Sequence, residues 1–229
     1  MASRATEFRL VLGAFAALAV AFVAFPGLDL TASGLFHHDG AWLFERDSRW
    51  LAIPYLGLPR LGQGLLLALI ALLLLGCLPR FPGLRARRPV YAFLLAGALA
   101  GPVLLVDNLL KDNSGRTRPV NTSHFGGPKQ FTPAFVPADQ CAKNCSFVSG
   151  HVATASFLMA FGWLGAPAVR RRWLLASLAG AGVMGLIRMA PGGHFLSDVI
   201  FAWFAVYFTL AATEWVFRRL GWLPALPVR

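Results

Sequence analysis

The sequence predicts an all-α membrane protein, a bundle of six transmembrane helices forming a single integral-membrane domain over residues 1–229. Three observations point there. Of the 229 residues, 57% are hydrophobic and only 14% charged, too apolar and too poor in charge for a soluble domain of this size. Six apolar stretches approach the roughly 20 residues needed to cross a bilayer. The 21 basic residues, against 10 acidic ones, cluster between those stretches.

The first stretch, Leu10 to Phe25, follows Arg4 and Arg9 and so has the outline of a secretory signal. It ends in Phe25-Pro26-Gly27-Leu28, which offers no small-residue cleavage site, and a retained helix is expected. The connection from Asp29 to Arg60 mixes Phe36, Trp42, Leu43 and Phe44 with charges. It reads equally as a helix lying in the membrane interface or as an ordinary polar loop. The second and third stretches are Leu61 to Leu78 and Pro89 to Leu110; in the third, Gly97 and Gly101 stand four apart, as close helix packing requires. Asp107 and Lys111, also four apart, can pair on one helix face, which lowers the cost of keeping charge at a membrane depth.

The connection from Lys111 to Val148 contains Asn113-Ser114-Gly115 and Gly126-Gly127-Pro128, turn chemistry that predicts an ordered but irregular cap. Cys141 and Cys145 lie in it, either closed as a disulfide in an oxidising compartment or left as thiols. The fourth, fifth and sixth stretches are Ser149 to Ala166, Trp173 to Ala190, with Ala181 and Gly185 as packing positions, and Phe195 to Val216. Trp173, Trp203, Trp215 and Trp222 read as interface anchors.

The net charge of +11 is a topology signal here, not a sign of nucleic acid. Arg80, Arg85, Arg87 and Arg88, then Arg170 to Arg172, then Arg218, Arg219 and Arg229 crowd alternate connections and the tail, which the positive-inside rule places in the cytoplasm with both termini. The connection holding Asp29, Asp39, Glu45 and Asp47, the cap, and the short Pro191-Gly192-Gly193 link then fall outside.

The chemistry-bearing residues gather on that outer side. His194 and Asp198 are four apart, and on a helix beginning near Phe195 they share a face. The carboxylate would hold one imidazole nitrogen and leave the other as a nucleophile. Arg188 lies six residues upstream, and Lys111, Arg118-Pro119 and Ser149-Gly150-His151 complete a set suited to gripping a phosphate: cations with planar forks, and a helix-opening Ser-Gly whose N–H groups favour an anion. Bare chemistry lets His151 and His194 exchange roles, although only His194 has an acid at helical spacing. His37, His38 and His124 lack partners at metal-ligand spacing, and two cysteines do not complete a zinc shell, so neither metal nor cofactor is expected.

The order Lys111, six residues, Arg118-Pro119; Ser149-Gly150-His151; Arg188, five residues, His194, three residues, Asp198 resembles the three-part signature of the type 2 phosphatidic acid phosphatase superfamily. Two positions depart from it: Val148 stands where the family usually has proline, and Ile187 where it usually has serine. The resemblance implies a six-span lipid phosphatase in which His194 takes up the phosphoryl group and Asp198 orients it. His151 would protonate the leaving oxygen and then activate water, while Lys111, Arg118, Ser149, Gly150 and Arg188 bind phosphate, with Asp107 and Pro119 in support. Asn144 to His151 and Phe125-Gly126-Gly127 are similar to bacterial lipid A phosphatases. That implies a bacterial inner-membrane protein with a periplasmic site acting on a lipid phosphate from within the bilayer. Undecaprenyl pyrophosphate and phosphatidylglycerol phosphate are the competing substrates. A lipid or anion transporter and a non-catalytic structural subunit are the alternatives from other classes.

Overall fold

The computed structural model describes residues 3–44 and 48–223, so Glu45, Asp47 and Arg229 of the charge pattern lie outside the described residues. Helix α1 (Arg4–Ala24) opens on Ser3, whose hydroxyl accepts the Thr6 N–H at 3.1 Å. The first connection takes neither of its two expected forms throughout. It begins as helix α2 (Gly27–Gly34) and continues as a hairpin of β1 (His37–His38) and β2 (Ala41–Trp42). Asp39 and Gly40, both at positive φ, make the tight turn that matches the twist of paired strands. Its last residues are absorbed into α3 (Arg49–Leu75), a helix longer than the apolar stretch and carrying Pro54 and Pro59.

Helix α4 (Pro82–Ala98) starts on a proline, whose missing N–H costs nothing in a first turn. It widens into a π-helical segment, Leu99–Leu110, around Pro102 and closes with the single turn α5 (Lys111–Asn113). A proline inside a helix removes a backbone bond, and the wider segment is where the chain accommodates it. After the irregular cap come α6 (Gly150–Ser156), a 3-10 turn at Phe157–Met159, α7 (Ala160–Trp163), α8 (Pro167–Met189) and α9 (Leu196–Arg219).

Among the described residues four helices are long and apolar enough to cross a membrane: Arg4–Ala24, Leu51–Leu75, Pro82–Asn113 and Leu196–Arg219. They contain the first, third and sixth expected stretches and most of the second. The other two differ from expectation for physical reasons. The fourth stretch is interrupted by the 3-10 turn, and Gly150 to Trp163 rises only about 20 Å, short of the roughly 30 Å hydrocarbon core. The fifth lies in α8, which has the length but carries Arg170, Arg171 and Arg172 in its opening turns.

Helix α9 is the centre of the bundle, burying Phe201, Ala202, Phe204, Val206, Tyr207 and Leu210. Phe15 of α1 meets Phe201, Phe204 and Phe208 edge-on, a geometry favoured by aromatic quadrupoles. The expected packing glycines do pack: Gly97 lies against Leu210 and Gly185 against Val199. Leu10, Val20, Ile53, Leu61, Leu67 and Leu74 are exposed apolar side chains on α1 and α3, a surface suited to lipid. The tryptophans divide. Trp215 and Trp222 are exposed, as anchors would be, but Trp203 is buried with its Nε1 donating to Ser177 Oγ at 2.9 Å. It therefore joins α9 to α8 and is no interface anchor.

Candidate active site

The three sequence blocks converge where α6 and α9 begin and α8 ends, stitched together by backbone bonds. Cys145 N–H donates to the Lys111 carbonyl at 2.9 Å, Ser146 N–H to the Arg116 carbonyl at 2.9 Å, and Ser149 N–H to the Asp198 carbonyl at 3.0 Å. Val120 N–H donates to the Gly192 carbonyl at 3.0 Å, holding the segment after Arg118-Pro119 against the loop that carries His194. Gly192, at φ 67°, packs directly under the Trp42 ring, which leaves no room for a side chain. The hairpin of the first connection thus presses on that loop. Cys141 and Cys145 are joined as a disulfide in the cap.

His194 is buried just ahead of α9, and its relation to Asp198 is not the shared helix face that the spacing predicts. The helix starts only at Leu196, and Asp198 at its third position turns back to accept the Phe195 N–H at 2.8 Å, as the acid of a capping box does. Asp198 Oδ2 consequently stands 3.4 Å from His194 Nδ1, and the hydrogen-bond partner of Nδ1 is the Ser146 carbonyl at 2.9 Å. The Ser146 hydroxyl in turn donates to Asp198 Oδ2 at 2.5 Å. A carbonyl can only accept, so Nδ1 carries the proton and Nε2 keeps the lone pair. Burial above all, with the charges of Arg118 and Arg188, pushes His194 down to about 3 against the opposing pull of Asp198. Its imidazole is neutral at physiological pH.

The cations surround this group. The Arg118 guanidinium reaches the Gly193 carbonyl at 3.4 Å and the Asn144 carbonyl at 3.0 Å. The buried Arg188 guanidinium lies against Gly193 on one side and over the Tyr55 ring at 4.6 Å on the other. Lys111 pairs with Asp107 at 3.3 Å, as the four-residue spacing predicts, and both abut Gly150, where any Cβ would collide with the Asp107 carboxylate. Ser149 is the N-cap of α6, and its buried hydroxyl has no hydrogen-bond partner, an orphan donor at a helix N-terminus where an anion is favoured. His151, the second residue of α6, donates through Nε2 to the Tyr55 carbonyl, 2.9 Å away, and stacks on the Tyr55 ring at 4.7 Å.

All eight expected catalytic and phosphate-binding residues therefore fall in one cluster. Sequence reasoning missed five more: Asp29, Tyr55, Arg116, Ser146 and Ser197. Arg116 is buried, with Nη1 donating to Asp198 Oδ1 at 2.6 Å and Nη2 to Asp29 Oδ2 at 2.7 Å. One signal was available, since Arg116 lies inside the first block, two residues before Arg118, while Asp29, Tyr55 and Ser197 carry none.

Comparisons with known proteins identify the family. The model of a family described as the PAP2 superfamily matches residues 89–222. The lipid A 4'-phosphatase of Francisella tularensis subsp. novicida is 35% identical over 198 residues, covering 81% of this chain and 84% of that protein. The lipid A 4'-phosphatase of Rhizobium leguminosarum is 40% identical over 119 residues, 52% of this chain and 51% of that protein. That of Rhizobium etli is 40% identical over 119 residues, 52% and 46% respectively. No solved structure matches.

Proposed function

The chain belongs to the PAP2 superfamily and is a phosphatase similar to bacterial lipid A phosphatases, and from that premise we propose that it removes the 4'-phosphate of lipid A through a phosphohistidine on His194. The observation that carries this reading is the tautomer set at His194. Its Nδ1–H is committed to the Ser146 carbonyl, so the nucleophilic electron pair sits on Nε2, on a ring that feels the charges of Arg118 and Arg188.

In the first step Nε2 attacks phosphorus, the bond from phosphorus to the sugar oxygen breaks, and that oxygen takes a proton from His151. In the second, water gives a proton to His151 while its oxygen bonds to phosphorus, the P–N bond breaks, and inorganic phosphate leaves. Lys111, Arg118 and Arg188 neutralise the phosphoryl oxygens, with the Ser149 hydroxyl and the α6 N-terminus as further donors. For His151 to serve as the acid, its proton must reach the leaving oxygen from Nδ1, because Nε2 is occupied by the Tyr55 carbonyl.

The six-span topology belongs to the same proposal, with α6–α7 and α8 completing the bundle, both termini cytoplasmic and the site facing the periplasm of an inner membrane. A lipid would then enter sideways with its phosphate at headgroup level. The relatives' names favour lipid A over undecaprenyl pyrophosphate and phosphatidylglycerol phosphate. A transporter would need charge along a path across the bundle, and the cations and histidines described here cluster at one end. The test is phosphate release from lipid A, undecaprenyl pyrophosphate, phosphatidylglycerol phosphate and phosphatidic acid in one detergent. Fastest turnover on lipid A is expected, and a preference for any of the other three replaces the substrate named here.

A further inference from the structure

Asp29 lies in α2, 60 residues ahead of the segment matched by the family model, and Arg116 stands at a position inside the first block that the signature leaves unspecified, yet both are as deeply buried as His194. We propose that Asp29 and Arg116 form a positioning pair for His194, holding Asp198 in the one orientation that serves helix cap and imidazole together; the proposal rests on His194 being the nucleophile.

The geometry assigns each partner a task. Arg116 pins Oδ1 of Asp198 at 2.6 Å, which fixes the carboxylate plane and leaves Oδ2 for the Ser146 hydroxyl, the Phe195 N–H and the His194 ring. Asp29 grips the first turn of α9, accepting the Ser197 N–H at 2.8 Å and the Ser197 hydroxyl at 2.6 Å, while Ser197 Oγ accepts from Arg116 at 2.8 Å. Arg116 is itself held from a third side, its Nε donating to the Thr132 carbonyl at 2.9 Å and its plane lying 4.4 Å from the Phe195 ring centre. Rotation of any one group breaks bonds in the others.

Charge points the same way. Burial, joined by the charge of Asp198, pushes the Asp29 carboxyl above its ordinary value against the opposing pull of Arg116. The Arg116 guanidinium, the Ser197 N–H and the Ser197 hydroxyl all donate to Asp29, which suits a carboxylate. Two carboxylates against one guanidinium leave one negative charge unbalanced next to an imidazole that becomes positive as Nε2 bonds to phosphorus. A fixed, desolvated counter-charge at that point favours the transition state over the resting enzyme. Simple attachment of α2 to α9 would call for neither the excess charge nor the contact to Asp198.

The experiment uses the full chain in detergent with Asp29→Asn, Arg116→Lys and the milder Ser197→Ala. Single-turnover phosphate release from bisphosphorylated lipid A, enzyme in saturating excess, separates a slower step from a smaller active fraction, since misfolded enzyme raises the concentration needed to saturate and leaves the saturated rate constant unchanged. The expected rate constant falls on the order of 100-fold in Asp29→Asn and Arg116→Lys, and about 5-fold in Ser197→Ala, with KM within about twofold of wild type. Imidazole nitrogen NMR of the unliganded protein is expected to show His194 as a single Nδ1–H tautomer in wild type and a tautomer mixture in Asp29→Asn. Unchanged saturated rate constants, or an unchanged tautomer in the folded variants, would overturn the pair's role. Wild type without turnover, or His194→Ala with full turnover, would overturn the phosphatase mechanism instead, and the tautomer measurement still decides the pair.

Discussion

Two networks of carboxylates and arginines, one fully and one partly buried, sit at opposite ends of α9, and the contrast between them separates chemistry from architecture. At the far end Glu214 takes Arg4, Arg218 at 2.6 Å and the Trp163 indole N–H at 2.7 Å. Nearby, Glu7 takes Arg170 at 2.7 Å and the Tyr207 hydroxyl at 2.9 Å. Three arginines answer two glutamates there, and both carboxylates are met entirely by strong donors. Those contacts tie the start of α1 to the start of α8 and the end of α9. At the site end one arginine answers two aspartates, and the network finishes on the His194 imidazole, which feels the charges of Arg118 and Arg188. Buried ion pairs are weak evidence of stability gained and good evidence of a specified arrangement. What marks the network of the proposed site is the His194 imidazole at its end and the ratio of its carboxylates to its guanidinium.

Removing that end group is the sharpest break. His194→Ala should lower phosphate release by at least about 10⁴-fold, the scale on which loss of a nucleophile is felt, while the far end keeps the protein folded and monodisperse. Comparable activity in the variant would erase the distinction. The mirror-image experiment is Glu214→Ala, which strands Arg4 and Arg218 and should cost about 3 kcal/mol of stability. The melting temperature in detergent should fall while kcat per folded molecule stays near wild type.

A smaller effect sharpens the contrast through pH. His194 binds a proton near 6.5 when unfolded and near 3 when folded, so between those values the unfolded chain holds more protons. Its contribution to stability is then fully present above pH 6.5 and is lost as pH falls toward 3. Between pH 6.5 and 5, above the ordinary carboxylate range of about 4, the melting temperature should drop less in His194→Gln than in wild type. An equal drop would place the pH sensitivity elsewhere. The smallest expected effect is that of a chelator. In the proposed mechanism Lys111, Arg118 and Arg188 supply the charge neutralisation a divalent ion provides in many phosphoryl transfers, so activity should survive EDTA. Loss in EDTA with recovery on adding magnesium would count against the mechanism.

Much of the site was legible from local order. Lys111, Arg118, Ser149, Gly150, His151, Arg188, His194 and Asp198 declare themselves because catalytic spacing within a turn or a helix entry is written in consecutive residues. The spacing of His194 and Asp198 was read correctly as a partnership and wrongly as a helix face. Periodicity does not show where a helix starts, and here the carboxylate that meets the imidazole also caps the helix behind it. Hydropathy likewise averages over a 3-10 break such as Phe157–Met159 and does not show which apolar stretches form an unbroken helix.

By itself, then, the sequence determined the solvent and the chemistry: apolar runs that call for lipid, and three blocks of phosphate-handling side chains in a set order. Only the tertiary structure decided which carboxylate meets which guanidinium. Asp29 reaches Ser197 across 168 positions and Arg116 reaches Asp198 across 82. The physical reason is range. Hydrophobicity and helical spacing act between neighbours in the chain, whereas a buried charge finds its partner only after packing has removed the water and chosen what stands beside it.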